Sequence, residues 1–218
     1  MELPKKEREI KSKSPNILTI FGATKVGKTT KLTELEDCLI IDTERGAEKV
    51  KGLIHEVNNL NDLRDVAEEL SKGKISYKYI ALDTIDNIVS WIEKDVCNRR
   101  KIETIGDIPY GAGYDEVRMQ TFKIINTFKS FAKLIIIGHR KRTIIGTDKL
   151  EVKIDSLNLT GKLKAMIMAD SDAIGYAFRE KDILKLSFKG DDSLETGSRC
   201  IHLINKIINF EWDKIYID

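Results

Sequence analysis

The chain has 218 residues, 41% of them apolar and 33% charged, which is enough to bury a core and excludes a wholly disordered chain. Thirty-seven Lys and Arg stand against 35 Asp and Glu, a formal charge of +2, so a global basic field is excluded and any nucleic-acid site must be a local patch. Cys38, Cys97 and Cys200 lie far apart, against a disulfide framework or zinc ribbon, and no apolar run reaches the length of about 18 residues that a membrane span needs.

Residues 1–14, MELPKKEREIKSKS, are charged and lack the apolar stretch of a secretory signal. They are expected to form a solvated tail, or an arm that meets a neighbouring subunit or nucleic acid. One domain is expected over residues 15–218, in a soluble, cytoplasmic protein without membrane contact.

Ile17 to Phe21 is a short apolar run that reads as a buried strand. It is followed by Gly22-Ala23-Thr24-Lys25-Val26-Gly27-Lys28-Thr29, a complete G-x-x-x-x-G-K-[ST] motif. Gly22 and Gly27 allow a tight turn in which successive N–H groups form an anion nest. A helix from Lys28 to about Glu36 adds its positive end. In this motif Lys28 reaches the β- and γ-phosphates and the Thr29 hydroxyl ligates Mg²⁺; Thr30 continues the nucleotide-binding stretch.

Cys38 to Asp42 is a second strand, ending in Asp42-Thr43-Glu44-Arg45-Gly46. Open α/β sheets bind ligands at the carboxyl ends of their strands, which puts Glu44 near the phosphates as a candidate to polarise the attacking water. Asp42 is a candidate orienting residue. Asn61 to Leu70 reads as a helix with Asn61 as its cap. Tyr79 to Asp83 is a third strand, and its terminal carboxylate is a candidate Mg²⁺ ligand. A helix is expected from Asp86 to about Arg100.

Gly111 to Glu116 contains G-x-G without the full dinucleotide fingerprint. It reads as a loop exposing Tyr110 and Tyr114, whose rings can stack on bases, or as a loop packed on its own core. Val117 to Phe131 reads as a helix and Lys133 to Gly138 as a fourth strand. His139 follows as a candidate γ-phosphate sensor. The basic run Arg140-Lys141-Arg142 opens a predicted hairpin through Thr143–Ile145 and Leu150–Ile154, with a turn at Gly146–Lys149. Lys149, Lys153, Lys162 and Lys164 extend the positive patch, which reads as a DNA contact or a solvated face. Asp172–Phe178 and Ile183–Phe188 are expected as antiparallel additions. Asn158-Leu159-Thr160 matches a glycosylation acceptor only formally. The absence of N-K-x-D leans toward ATP over GTP.

Together FGATKVGKTT, LIIDTERG, YIALDTID and LIIIGHRKR resemble the RecA-like P-loop ATPases. In detail they look most like the phage-encoded proteins of the AAA-domain or Sak-type single-strand annealing group. The resemblance implies a mainly parallel sheet with helices on both faces and antiparallel C-terminal strands. It implies Glu44 as catalytic base, Asp83 as Walker B aspartate, His139 as sensor, and ATP with Mg²⁺ as cofactors. IPYGAGYDEVR resembles a segment of the phage group, and ETGSR a late Gly-x-Arg element in which Arg199 contacts a neighbouring subunit's phosphates. It further implies a filament or ring acting on single-stranded DNA in recombination or repair. A small-molecule kinase and a non-hydrolysing nucleotide-dependent scaffold are the competing readings.

Overall fold

A computed structural model describes residues 9, 10, 12–145, 152–159 and 161–218. Chain order is β1 (Ile17–Gly22), α1 (Lys28–Leu32), β2 (Cys38–Asp42), β3 (Leu53–Glu56), α2 (Leu60–Ser71), β4 (Tyr79–Asp83), α3 (Ile85–Arg100), α4 (Ala112–Lys129), β5 (Lys133–Ile145), β6 (Val152–Leu157), α5 (Gly161–Asp170), β7 (Ala173–Glu180), β8 (Ile183–Ser187), β9 (Gly197–Ser198) and β10 (Ile207–Asn209). The predicted turn Gly146–Lys149 lies outside the described residues, as do Leu150, Glu151 and Thr160.

The strands form one sheet in the order β10-β8-β7-β1-β5-β4-β2-β3, with β6 paired to β5 and β9 to β7. The pairs from β7 through β3 are parallel; β8, β9, β10 and β6 join antiparallel. This is the mainly parallel α/β sheet with an antiparallel C-terminal edge that the RecA-like resemblance implies. Strands β1, β2 and β4 are buried at every position, as continuous Ile/Leu runs require when both faces are covered.

The two faces are covered unequally. One alternation of β1, Ile17 and Phe21, packs under α2, α3, α4 and α5 through Leu63, Ile88, Ile92, Ile125 and Ile167. The other, Leu18 and Ile20, packs under Leu32 of α1 and a C-terminal stretch carrying Leu203, Phe210, Trp212 and Ile215. That stretch is locked by the Trp212 Nε1–H, which donates to Lys31 O at 2.6 Å. Ser12, Lys13 and Ser14 all donate to the Asp218 carboxylate, so the last residues of the expected tail are tied to the C-terminus.

Several elements differ from the sequence reading. Helix α1 stops at Leu32, four residues short of Glu36. Asn59, not Asn61, caps α2, accepting from Asn61 N at 2.8 Å and Asp62 N at 3.1 Å. Helix α4 begins at Ala112, so Gly113 and Tyr114 are helical. Gly113 is required there by packing, since a Cβ would lie 2.8 Å from Ile105 O. Strand β5 runs unbroken through Gly138 and the basic run to Ile145, so the fourth strand and the first arm of the hairpin are one element.

A candidate nucleotide-hydrolysis site

The site forms where β1, β2 and β4 end, beside His139 in the middle of β5. In the parallel register Gly22 pairs with His139, and Asp83 with both Asp42 and Ile137. Four predicted residues are therefore delivered to one edge by strand alignment alone.

Of the two motif glycines, only Gly27 needs conformational freedom, with φ +115°. Gly22 is needed for space: a Cβ there would lie 2.6 Å from Ala177 O of β7. Ala23 O accepts from Val26 N at 3.4 Å. Thr24, Lys25 and Thr30 are exposed, and Lys25 takes a left-handed φ of 62°. Lys28 is 6% exposed, and its Nζ donates to Gly22 O at 3.3 Å and Ala23 O at 3.0 Å. Burial lowers its pKa, opposed by the Asp83, Glu44 and Asp86 carboxylates.

The Thr29 hydroxyl donates to Asp83 Oδ2 at 2.6 Å. Burial pushes the Asp83 carboxyl up to about 6, against the Thr29 hydrogen bond and the Lys28 charge. The Asp83–Thr84 peptide bond is cis. Thr43 ties β2 to β4: its N–H donates to Asp83 O at 2.7 Å, and its hydroxyl accepts from Thr84 N at 2.8 Å. Asp42 is buried and accepts from Glu44 N and Ala47 N, each at 2.9 Å. These two hydrogen bonds hold the start of the loop that carries Glu44.

Glu44 Oε1 accepts from the Thr84 hydroxyl at 3.1 Å and lies 3.7 Å from His139 Nδ1. The His139 pKa is raised, chiefly by the Asp86 carboxylate beside its ring, against burial and with help from Glu44. Lys28, Thr29, Asp83, Glu44 and His139 are thus brought together.

The fit to a Mg²⁺-bound triphosphate rests on two observations. Lys28 is a buried cation that has no ion pair among the described residues, a costly state that an anionic ligand relieves. Thr29 and Asp83 present hydroxyl and carboxylate oxygens together, the hard donors Mg²⁺ takes.

The remaining predicted residues lie elsewhere. Arg140 Nη1 donates to the Tyr176 hydroxyl at 3.2 Å, and Arg142 grips Asp155 through two 2.8 Å hydrogen bonds. Lys141 is exposed. Tyr110 is fully exposed on a left-handed turn and Tyr114 half exposed. Lys164 pairs with Glu195 at 2.6 Å. Arg199 lies beside Asp172, at the sheet end where β1 begins, remote from its own phosphate loop.

Sequence reading missed Arg179 and Asp86. Arg179, on β7, donates from Nε to Val26 O at 3.1 Å, and its Nη2 lies 3.3 Å from where a Gly27 Cβ would sit. No local motif marks it; only the placement of β7 beside β1 does.

Residues 14–203 match the family model described as AAA domain. The chain belongs to the AAA domain family. The chain is 27% identical over 128 residues to the SPbeta prophage-derived uncharacterized protein YorG of Bacillus subtilis strain 168. That match takes in 56% of this chain and 38% of the relative, so the chain spans well under half of that protein's length. Solved structures with a similar course include the RadB recombinase, at TM-score 0.45 and 12% identity over 80% of each chain. A KaiC-like protein from Pyrococcus horikoshii OT3 aligns at TM-score 0.42 and 14% identity, over 85% of this chain and 81% of that one. No helix of the described AAA-domain residues is long and apolar enough to cross a membrane.

Proposed function

We propose that this chain hydrolyses ATP with Mg²⁺ and works on single-stranded DNA as a homo-oligomer in phage-type recombination or repair. The observation that carries the hydrolytic reading is the meeting of Lys28, Thr29, Asp83 and Glu44 at one sheet edge.

Each residue has a part set by its chemistry. Lys28 neutralises phosphate charge from a buried position, where a cation acts most strongly. Thr29 and Asp83 hold the metal, which when bound supplies charge neutralisation across the phosphates. Glu44, partly exposed and aligned by Thr84, accepts a proton from water. His139 lies where it can sense the state of Glu44. Missing N-K-x-D favours adenine over guanine.

Support for the DNA part is different in kind. The basic run on β5, the exposed rings of Tyr110 and Tyr114, and a prophage-derived relative point that way. Arg199, distant from its own phosphate loop, suits a contact across subunits. The test is phosphate release by purified protein with and without oligothymidylate at two salt concentrations. Stimulation that weakens with salt, and its loss in Glu44→Gln with ATP binding retained, supports the reading. Phosphate transfer to a small acceptor without DNA stimulation would favour a kinase; nucleotide binding without turnover under any condition would favour a scaffold.

A further inference from the structure

Helix α1 carries both Lys28 and Thr29, yet it is only five residues long. Isolated helices below roughly 12–15 residues are marginal in water, so its place must be set by what packs on it. Three contacts hold it and the loop before it, and all come from the C-terminal part of the chain. Arg179 of β7 donates from Nε to Val26 O at 3.1 Å and from Nη1 to Asp182 O at 2.8 Å, tying the phosphate loop to the turn between β7 and β8. Gly27 lies against Leu184 of β8, whose Cδ2 is 3.3 Å from where a Cβ would sit. The Trp212 Nε1–H reaches Lys31 O, in the last turn of α1, at 2.6 Å.

The Trp212 contact is built on a rigid base. The residue is buried, with its ring edge-on to Phe210 at 5.0 Å and stacked on Tyr216 at 6.0 Å. Packed against both rings, the indole has little freedom to turn its N–H away. Phe210 N donates to Leu184 O at 2.9 Å, so the turn that carries Trp212 is fixed to the same strand that touches Gly27. Leu32, the apolar anchor of α1, belongs to the same buried cluster as Leu184, Phe210 and Trp212. Lys31 O also accepts from Glu34 N at 3.2 Å, which makes the indole bond the shorter of its two.

We propose that Trp212 is a positioning residue of the nucleotide site, holding α1 by its last turn so that Lys28 and Thr29 stand where the phosphates and the metal enter. Lys28 to Lys31 span about one helical turn, so a shift of the Lys31 carbonyl is carried to both residues. Arg179 and Leu184 steady the other end of the same element. The proposal takes its ligand from the hydrolytic reading. It gives the C-terminal segment a part in nucleotide binding that no residue near the phosphate loop in sequence reveals.

The test uses the full chain. Trp212→Phe keeps a ring in the core and removes the N–H donor. Without nucleotide, amide hydrogen exchange over residues 23–33 should quicken by about fivefold, while exchange in β1 stays as in wild type. Titration with a fluorescent ATP analogue and Mg²⁺ should show affinity weakened by about threefold to tenfold, as loss of one neutral hydrogen bond implies. Ile135→Val, a truncation in the same buried cluster, is the control for stability. It should lower the thermal midpoint and leave both readouts within about twofold of wild type. In Trp91→Phe, which leaves Trp212 as the only tryptophan, the ¹⁵N-indole resonance should shift when ATP and Mg²⁺ are added. Exchange over 23–33 unchanged in Trp212→Phe overturns the hold on α1. Faster exchange with unchanged affinity overturns the positioning role, as does an equal loss of affinity in Ile135→Val or an indole resonance unmoved by bound ATP. A wild type that binds no ATP sinks the hydrolytic reading alone, because the exchange still judges the hold.

Discussion

The Thr29 hydroxyl reaches the Asp83 carboxylate at 2.6 Å although β1 and β4 are not neighbours, β5 lying between them. The first turn of α1 therefore bridges over β5 to meet the end of β4. The hydrogen bond joins the phosphate loop to the acidic strand end, and both partners are the residues expected to hold Mg²⁺.

Asp83 should make stability depend on pH in a specific direction. Its folded carboxyl titrates at about 6, raised from 3.8 by burial, so the folded state holds the proton more tightly than the unfolded state does. Stability is greatest where Asp83 is neutral, falls as pH rises from 3.8 through about 6, and is level above that. A displacement of this size corresponds to roughly 3 kcal/mol. Mg²⁺ binds the ionised form, so its stabilising effect should be full above pH 6 and fade as pH falls through that value. Thermal unfolding from pH 4.5 to 8, with and without Mg²⁺, checks this. Asp83→Asn should be at least as stable as wild type at pH 8, lose the Mg²⁺ effect, and abolish turnover.

Gly22→Ala should destabilise the fold itself. The added Cβ meets a backbone carbonyl, Ala177 O at 2.6 Å, and no rotamer relieves that. Forcing β1 and β7 apart should cost about 1–3 kcal/mol or more, read as a lower urea midpoint without nucleotide. Gly46→Ala, with nothing within 4 Å of its added Cβ, should leave the midpoint unchanged.

These residues show how far sequence alone reaches. The phosphate loop, Asp83, Glu44 and His139 were legible because each follows a buried apolar run, and parallel strands end together. Helix α4 was misjudged because two glycines near its start read as loop, whereas Gly113 is a packing residue against Ile105. The unity of β5 was hidden by Gly138, which marks close approach of Leu157 and not a chain break. Arg179 reaches the phosphate loop from β7, and Asp86 reaches the His139 main chain from α3, contacts that no local pattern specifies.

Lys28 and Arg179 should separate binding from loop shape. Lys28→Ala removes a charge-assisted contact and should weaken ATP binding by roughly 10- to 100-fold, in line with about 1.5–3 kcal/mol for a hydrogen bond to a charged group. Arg179→Ala frees Val26 O from the outside of the loop and should weaken ATP binding by a smaller factor, roughly threefold to tenfold, as a neutral acceptor implies. Arg179→Lys should restore part of it. Titration with a fluorescent ATP analogue measures both. Equal losses in Arg179→Ala and Lys28→Ala would mean that Arg179 touches phosphate directly.

The basic run on β5 should not act as a uniform patch. Arg142 already spends two donors on Asp155, and Arg140 donates to Tyr176 while lying 3.6 Å from the same carboxylate. A phosphate competing for either guanidinium must first displace a partner. Lys141 points to the opposite side of the strand from both, since neighbours in a strand alternate, and it has no ion pair among the described residues. Lys141→Ala should therefore weaken oligothymidylate binding more than Arg142→Ala and lower the salt slope of binding by about one. Asp155→Asn releases the arginines and should tighten binding, most visibly at low salt where exposed charges are least screened. Fluorescence anisotropy across a salt series decides the matter. If Arg142→Ala proves the larger loss, the arginine pair and not Lys141 faces the strand of DNA, and Asp155 serves to aim it.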